Sequence, residues 1–316
     1  MMQLSEAVAG FHAHCQYSKN LSPLTRRAYK TDLAQFLSKV QPSTQLHAVT
    51  KNDIRVYVKS LFELNLKETS IRRKIATLKA LFNFLEFDER IASNPMRQLG
   101  VQIRMPRRIP RSISLQFIRK LLTRTRSDTR RVMRRAGNDP FDIPRQGVFV
   151  AVQRLTILEL LFATGMRVGE LSQLNVEDVD LSKQTVRVFG KGSRERTIAL
   201  THKIVIDTLK AFFALRSSER SSTDPLLVNR LGKRMQPHSI RTLVANSASA
   251  SGLPTRVTPH VLRHTIATLM LENGIDIRFV QRLLGHSSIL TTQWYTHTSS
   301  KAERKMLQTY HPRNLF

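Results

Sequence analysis

Residues 258–297 read TPHVLRHTIATLMLENGIDIRFVQRLLGHSSILTTQWYTH, and this stretch decides how the rest of the chain is interpreted. Pro259 suits the first position of a helix, and Thr258 suits the N-cap position before it. His260 and Arg263 are three residues apart, so they share one face of the helix that begins there. The sequence therefore predicts a cationic and an imidazole side chain side by side on one helical turn.

Two more reactive side chains follow in the same stretch, His286 after Leu-Leu-Gly and Tyr295 close behind it. Cations and imidazoles next to a phenol form an anion site with an oxygen nucleophile beside it. Such a set can attack a phosphodiester through a covalent intermediate. We therefore expect the remaining segments to bring a polyanionic substrate to this site.

Length and charge agree with that expectation. The chain has 316 residues, enough for two ordinary domains, and 41% of them are hydrophobic, which is sufficient for a packed core. Lys and Arg number 51 against 23 acidic residues, giving a net charge of +28 that is spread along the chain. An excess of this size predicts a nucleic-acid partner rather than a merely solvated surface. A membrane surface is disfavoured because no strongly amphipathic anchor accompanies the basic residues.

Several classes of protein are excluded by what is missing from the sequence. Cys15 is the single cysteine, so a disulfide framework or a cysteine-rich zinc site is not expected. We find no apolar run long enough to span a bilayer and no signal peptide, which predicts a cytoplasmic or nucleoid-associated protein. His260 and His264 are spaced like a metal pair, but no glutamate stands between them as in a zincin helix, so no metal site is predicted.

Residues 1–100 are predicted to form an all-helical, DNA-binding domain of four helices, because apolar residues recur there at helical spacing. The fourth apolar stripe consists of Ile71, Ile75, Leu78, Phe82 and Leu85. The opposite face is expected to carry the basic residues Arg72, Arg73, Lys74 and Lys79. These side chains either solubilise the helix or contact phosphates, and the overall charge favours phosphate contact.

Residues 101–112 are predicted to be a basic linker, and residues 113–316 a second domain. Arg107 and Arg108 lie among prolines in the linker, where a stiffened segment can follow a DNA backbone. The arginine-rich residues 124–147 are expected to form a basic surface excursion. Residues 185–200 alternate in strand period around Gly-Lys-Gly-Ser, which predicts a β-hairpin with Lys191 in its turn.

Five motifs occur in order along the chain: ATGMRVGEL (163–171), GKGSRERTI (190–198), HVLRH (260–264), LLGHSS (283–288) and TTQWYTH (291–297). Together they resemble the tyrosine recombinase/integrase family, and most of all its Xer-like site-specific recombinases. The resemblance covers the whole chain. It implies a mainly α fold with a small antiparallel β-sheet, in which a helical SAM-like core-binding domain and a catalytic domain form a two-domain C-shaped DNA clamp.

The resemblance also implies catalytic roles for six residues: Arg167, Lys191, His260, Arg263, His286 and Tyr295. Tyr295 would attack the phosphorus to give a 3′-phosphotyrosyl link, while two arginines hold the phosphate oxygens. Lys191 would protonate the leaving 5′ oxygen, and His260 would help to take the tyrosine proton. His286 would hydrogen-bond the phosphate, and Glu170 would have a supporting role at most. The chemistry needs no metal, no ATP and no other cofactor.

The implied partners are double-stranded DNA with a specific recombination site and further copies of the chain, as a tetramer. A related recombinase or an accessory DNA-binding protein is a further implied partner. Two alternatives remain open at this point: a non-catalytic, architectural DNA-binding protein on the same fold, and a type IB topoisomerase with the same chemistry. The long segment 124–147 also leaves a mobile-element integrase open beside chromosome-dimer resolution. The apolar stripe in the C-terminal tail could pack on its own domain or on a neighbouring subunit.

Overall fold

The computed structural model of the chain describes residues 2–97, 112–138, 145–190, 195–216, 224–252, 257–285 and 300–315. Its fold is mainly α-helical with one small antiparallel sheet, which confirms the predicted fold class. The backbone contacts divide the chain into two compact units, Met1–Arg108 and Ile109–Phe316. Each unit has its own hydrophobic core.

The first unit contains the four predicted helices: α1 (Leu4–Ala13), α2 (Pro23–Val40), α3 (Lys51–Glu63) and α4 (Glu68–Phe87). The start of α3 shows why the sequence folds this way locally. The Thr50 side chain accepts from the backbone N–H of Asp53, and the Asp53 carboxylate accepts from the backbone N–H of Thr50. This reciprocal cap satisfies donors that a helix start otherwise leaves unpaired.

One prediction for α4 was wrong. Lys74 does not lie on the exposed face, because its position is three after Ile71 and four before Leu78 and so belongs to the apolar stripe. Its Nζ donates to Oδ1 of Asp32 on α2 at 2.9 Å, and both residues are buried. Thr77 donates to the other oxygen of the same carboxylate at 3.0 Å. Lys74 therefore joins α4 to α2 instead of facing solvent.

The second unit holds eight helices among the described residues: α5 (Leu115–Asn138), α6 (Arg145–Thr164), α7 (Val168–Gln173), α8 (Lys203–Ala214), α9 (Pro237–Ala250), α10 (Pro259–Glu272), α11 (Ile277–Leu284) and α12 (Ser300–Tyr310). Helix α6 is central and contacts α5, α8, α9 and α10. Contrary to our expectation, its segment Gln146–Thr164 is long and apolar enough to cross a membrane. However, 78% of that segment is buried inside the unit, as in the core helix of a globular domain.

The basic excursion expected at residues 124–147 is helical over its first half, because α5 continues to Asn138. The residues that extend the buried stripe of α5 beyond Leu122 are two buried threonines, Thr125 and Thr129, and a partly buried Val132. Arginine forms helices well, so the outward arginines do not interrupt the helix. Most arginines of the segment are exposed, as expected, but their charge hid the helical period of the segment.

The sheet has the order β1–β2–β3 and is antiparallel throughout. Its strands are β1 (Val179–Asp180), β2 (Thr185–Phe189) and β3 (Glu195–Ala199). Val186 pairs with Ile198 and Val188 with Arg196, and the three apolar members of these pairs are buried in the core. The two long strands of the predicted hairpin are thus present, while its turn, residues 191–194 with Lys191, lies outside the described residues.

The C-terminal tail packs on its own unit in this structure. Leu307 on α12 belongs to the core of the second unit, and Met306 packs against that core. A short 3₁₀ turn, Pro312–Leu315, follows α12, and the side chains of His311 and Arg313 are buried there. Of the two dockings left open by the sequence, the one on its own domain is observed here.

Candidate active site at the end of helix α11

The start of α10 has the cap that the sequence predicted. Thr258 caps the helix by accepting from the backbone N–H of Val261, and Pro259 occupies the first turn. His260 is exposed on that turn, whereas Arg263, one turn further on, is only 6% exposed. The His-x-x-Arg pair therefore presents its imidazole to solvent and its guanidinium to the interior.

The Arg263 side chain bridges two other segments of the unit by hydrogen bonds. Its Nη1 donates to the carbonyl of Gly165 at 2.7 Å, and its Nη2 donates to the carbonyl of Leu284 at 2.6 Å. Burial lowers the pKa of Arg263 to about 10, with the charge of Arg167 adding to the effect and that of Glu170 opposing it. The guanidinium therefore remains charged at neutral pH.

Arg167 stands at the N-cap of α7, two residues after the glycine of the Ala-Thr-Gly sequence. Its backbone N–H and its Nη1 both donate to the Glu170 carboxylate, at 2.8 and 2.7 Å. Its Nη2 donates to the carbonyl of Gly285 at 2.7 Å, and its side chain is 44% exposed. Arg167 is thus oriented by a buried acid and still accessible to an incoming anion.

Glu170 is buried and stays ionised because of its arginine partners. Burial alone would raise its pKa, but hydrogen bonds from Arg196 and Arg167 outweigh that effect, and the pKa is lowered. The two bonds from Arg196, at 3.3 and 2.8 Å, come from Nη1 and Nη2. Glu170 therefore has a larger part in this site than the sequence suggested.

Arg196 on β3 is the residue that the sequence analysis missed. Besides its bonds to Glu170, its Nε donates to the carbonyl of Leu283 at 2.8 Å. A signal was present in the sequence: Arg196 is two residues before Ile198, so in a strand it faces the same side as that core residue. An arginine on the inner face of a strand needs a buried partner.

Three arginines from three elements thus bind three consecutive carbonyls. Arg196 binds that of Leu283, Arg263 that of Leu284, and Arg167 that of Gly285. We call residues 283–285 the carbonyl turn. A helix leaves its last carbonyls without partners and carries partial negative charge there, which suits cations. Gly285 ends α11 with a left-handed φ of 66°.

The arrangement gathers positive charge in one place. Three guanidinium groups face one carboxylate, Glu170, and the other acceptors described above are neutral carbonyls. Arg167 and Arg263 approach the same turn of chain, so one anion can meet both of their positive fields. Among the residues that the structure describes, no group of three His, Cys, Asp or Glu side chains is placed to hold a metal ion.

The remaining predicted site residues are of two kinds, those outside the described residues and those on α4. Lys191, His286, Tyr295, Arg107 and Arg108 lie outside the described residues.

Two residues of the predicted DNA-binding face, Arg72 and Lys79, are exposed on α4. Arg73 is half-exposed but ion-paired with the buried Asp32. Only part of the expected basic face of α4 is therefore open to solvent.

Comparison with known proteins identifies the family. The phage integrase family profile matches residues 141–302, which include Arg167, Arg196 and Arg263. The profile of the phage integrase N-terminal SAM-like domain matches residues 8–87, within the first unit. The chain therefore belongs to the phage integrase family, the tyrosine recombinases.

Similar curated proteins extend over the full length of the chain. A tyrosine recombinase of Agathobacter rectalis is 32% identical over 321 aligned positions, covering 100% of this chain and 99% of that protein. Tyrosine recombinase XerC of Thermodesulfovibrio yellowstonii is 31% identical, with 96% of each chain covered. The Xer-like resemblance predicted from the five motifs is confirmed.

Solved structures show the same fold. XerH site-specific recombinase bound to a palindromic difH substrate, in a post-cleavage complex, is similar with a TM-score of 0.67 and 18% identity. The similarity covers 98% of this chain and 82% of that one. A λ integrase tetramer bound to a Holliday junction has a TM-score of 0.66 and 18% identity, covering 93% and 80% of the two chains.

Proposed function

We propose that this protein is a site-specific DNA recombinase that cuts and rejoins strands through a 3′-phosphotyrosine at Tyr295. The observation that carries the proposal is the convergence of Arg167 and Arg263 on neighbouring carbonyls of the carbonyl turn. In the chain, this turn leads directly to His286 and then to Tyr295. Membership of the tyrosine recombinase family supports the same activity.

The cleavage step follows from the residue types. The Tyr295 oxygen forms a bond to phosphorus, and the bond from phosphorus to the 5′ oxygen breaks. Negative charge grows on the non-bridging oxygens, where Arg167 and Arg263 stabilise it.

Two proton transfers accompany this step, one from the nucleophile and one to the leaving group. His260 helps to accept the tyrosine proton, and Lys191 gives a proton to the leaving 5′ oxygen. His286 donates a hydrogen bond to the phosphate. Because the phenol of tyrosine has an ordinary pKa of about 10, it needs this cationic environment to react at neutral pH.

Rejoining is the reverse reaction. A 5′-hydroxyl attacks the phosphotyrosine, the phenol leaves, and a strand is restored without ATP because the linkage keeps the energy of the original bond. If the incoming 5′-hydroxyl belongs to a second duplex, strands are exchanged. The product is integration, excision or resolution of joined DNA.

The partner in this proposal is double-stranded DNA carrying a specific site, in the cytoplasm where the bacterial relatives' DNA lies. Residues 1–100 form the DNA-binding domain, residues 101–112 a basic linker and residues 113–316 the catalytic domain. Arg72, Arg73, Lys79, Arg107 and Arg108 contact phosphates. Synapsis of two sites takes four copies, as the tetramer of λ integrase illustrates, with a related recombinase or an accessory protein as further partners.

The test begins with duplexes selected from a random pool for binding to the full chain. A selected duplex is then nicked close to the cleavage position, so that the short fragment with the released 5′-hydroxyl diffuses away. The covalent protein–DNA adduct is detected on a denaturing gel. We expect an adduct with the wild type and none with Tyr295→Phe. Tyr310→Phe is the matched control, because Tyr310 is a second tyrosine of the tail and is 45% exposed.

Three results would contradict the proposal. An undiminished adduct in Tyr295→Phe would move the nucleophile elsewhere. Tight binding without any adduct in the wild type would favour the non-catalytic, architectural alternative. Relaxation of supercoiled DNA by the monomer without any preferred site would favour the topoisomerase alternative.

A further inference from the structure

We propose that Arg196 is a positioning residue for strand cleavage, which holds the β2–β3 hairpin, Glu170 and the carbonyl turn in one fixed arrangement. The proposal rests on the proposed recombinase function and adds a residue to its machinery. None of the catalytic roles above includes Arg196.

The contacts of Arg196 span three elements with one side chain. Nε donates to Leu283 at the end of α11, while Nη1 and Nη2 donate to Glu170 on α7. The backbone of Arg196 is paired with Val188 within the sheet. A guanidinium is planar and its donors diverge at fixed angles, so these bonds set the angle between hairpin, α7 and α11 as well as their distance.

Each of these three elements leads to a predicted catalytic group. Lys191 precedes Arg196 by five residues in the same hairpin, and His286 follows Gly285 directly. Glu170 in turn orients Arg167 through the bonds to its backbone N–H and its Nη1. Arg196 therefore links the supports of a general acid, a phosphate ligand and an arginine clamp.

Arg196 is distinguished from Arg167 by its lower exposure, and from Arg263, which is buried too and donates to carbonyls, by its two bonds to the Glu170 carboxylate. Its side chain is 15% exposed, against 44% for that of Arg167. All three of its nitrogens already donate to protein acceptors. We therefore assign it to positioning and not to contact with the phosphate.

The substitution Arg196→Lys distinguishes two roles of this side chain, neutralising the charge of Glu170 and fixing the geometry of the three elements. An ammonium group can neutralise Glu170, but it is a compact point charge and cannot reproduce the divergent bonds to both Glu170 and the Leu283 carbonyl. If Arg196 only compensates a buried charge, lysine will suffice. If it sets the relation between hairpin and α11, lysine will fail.

A matched control lies on the neighbouring strand. Arg187 on β2 binds the buried carboxylate of Asp178 through Nε and Nη2, both at 3.2 Å. Asp178 precedes the sheet and is not part of α7 or the carbonyl turn. Arg187→Lys therefore changes the same residue type in the same hairpin, beside a buried acid, without touching the proposed link.

The experiment uses the full chain and the nicked, selected duplex. For wild type, Arg196→Lys and Arg187→Lys, we would measure duplex affinity, the urea midpoint and the single-turnover rate of adduct formation at saturating DNA. We expect Arg196→Lys to bind and fold like wild type but to form the adduct about 100-fold more slowly, since a misplacement of about 1 Å costs that much. Arg187→Lys should cleave at the wild-type rate.

The outcomes separate this proposal from the function on which it rests. A folded, DNA-bound Arg196→Lys that cleaves at the wild-type rate overturns the positioning role and leaves the recombinase function intact. A wild type without any adduct overturns both.

If Arg196→Lys does not fold, the pair Arg196→Gln/Glu170→Gln removes both buried charges together and is compared with Glu170→Gln alone. We expect the pair to cleave at least about tenfold more slowly than the single variant. Equal rates would mean that the bond to Leu283 is irrelevant to cleavage.

Discussion

Arg313 donates from one guanidinium nitrogen to both carboxylate oxygens of Glu159, at 3.0 and 3.1 Å, and both side chains are 1% exposed. Glu159 lies in the middle of α6, and it also accepts from Arg126 on α5 at 2.9 Å. The last turn of the chain is thus fastened to the central helix of the second unit by a buried ion pair.

Arg313→Met should lower the free energy of unfolding by about 3 kcal/mol, because it leaves a buried carboxylate with one partner fewer. The remaining bond from Arg126 keeps the loss from being larger. Urea unfolding at pH 7 measures it. Arg304→Met is the control, because Arg304 is another tail arginine that binds the carbonyl of Lys183 near the surface; it should cost less than about 1 kcal/mol. Equal losses in both variants would contradict the special role of the buried pair.

Two imidazoles beside Arg313 make the second unit sensitive to acid. Burial lowers the pKa of His202 to about 4, and burial together with the charge of His202 lowers that of His311 to about 3. Below the ordinary value of 6.5 the unfolded chain therefore binds protons that the folded unit does not, so folding stability falls as pH falls. The stability that comes from keeping these imidazoles neutral is complete above pH 6.5. It is lost as the pH falls from 6.5 toward the folded-state pKa values of about 4 and 3.

We expect each of the two imidazoles to cost the second unit on the order of 2 kcal/mol of stability between pH 6.5 and pH 4, measured by urea unfolding. His202→Phe keeps a ring against His311, whose centroid is 5.2 Å away, but removes one titrating group. It should flatten the pH dependence. His238→Phe, at an exposed position on α9, should keep the wild-type dependence. A wild type whose stability is constant over this range would refute the prediction.

Glycine is required at position 165 but not at position 169. Gly165 has a φ of 60°, and a Cβ placed there would lie 2.5 Å from Cδ2 of Leu284. Gly165→Ala should therefore destabilise the protein by about 1–3 kcal/mol and slow adduct formation, because Leu284 and Gly165 supply both acceptors of Arg263. A Cβ at Gly169 meets nothing within 4 Å.

Because Gly169 lies within α7, Gly169→Ala should be neutral or should stabilise by up to about 1 kcal/mol. Thermal unfolding of both variants gives the comparison. The two alanines should act with opposite signs, and a stabilising Gly165→Ala would show that the close approach to Leu284 is not a constraint.

The salt dependence of DNA binding should distinguish the residues of α4 that contact phosphates from those that stabilise the fold. Arg72→Gln and Lys79→Gln should each reduce the slope of log affinity against log salt by about 1, since each removes one exposed phosphate contact. Lys74→Met should leave the slope unchanged and lower stability instead, because Lys74 is buried against Asp32. Titrations at several salt concentrations measure the slope. A reduced slope for Lys74→Met would mean that this side chain leaves Asp32 to meet DNA.

The sequence predicted the elements of the fold better than the partners of its polar residues. Helix starts such as Thr258 were predictable because a cap and the residues it binds are neighbours in the chain. The strand period around Lys191 was equally local. The start of α5 was predictable from Leu115, Ile118 and Leu121, but its continuation to Asn138 was missed because the arginines there concealed a stripe of threonine and valine.

Long-range pairs between polar side chains could not be predicted from one sequence. Arg196 is 87 residues from Leu283, and Arg313 is 154 residues from Glu159. The position of Arg196 two residues before Ile198 indicated a buried partner, but nothing local identified that partner or marked Arg313. Arg263 was found from its spacing to His260 on a predicted helix, and Arg167 only because a motif resembling a known family marked it. The attachment of both to α11 was not foreseen.

The acceptors that hold the three arginines are main-chain oxygens, and this has a consequence for how the protein can change over time. Substituting the side chain of Leu283 or Leu284 for another of similar volume leaves those oxygens in place. Only an altered path of the backbone removes them. Selection at this turn therefore acts on the path of the backbone more than on the identity of the side chains. Related sequences should show apolar substitutions at 283 and 284 more readily than an insertion or deletion there.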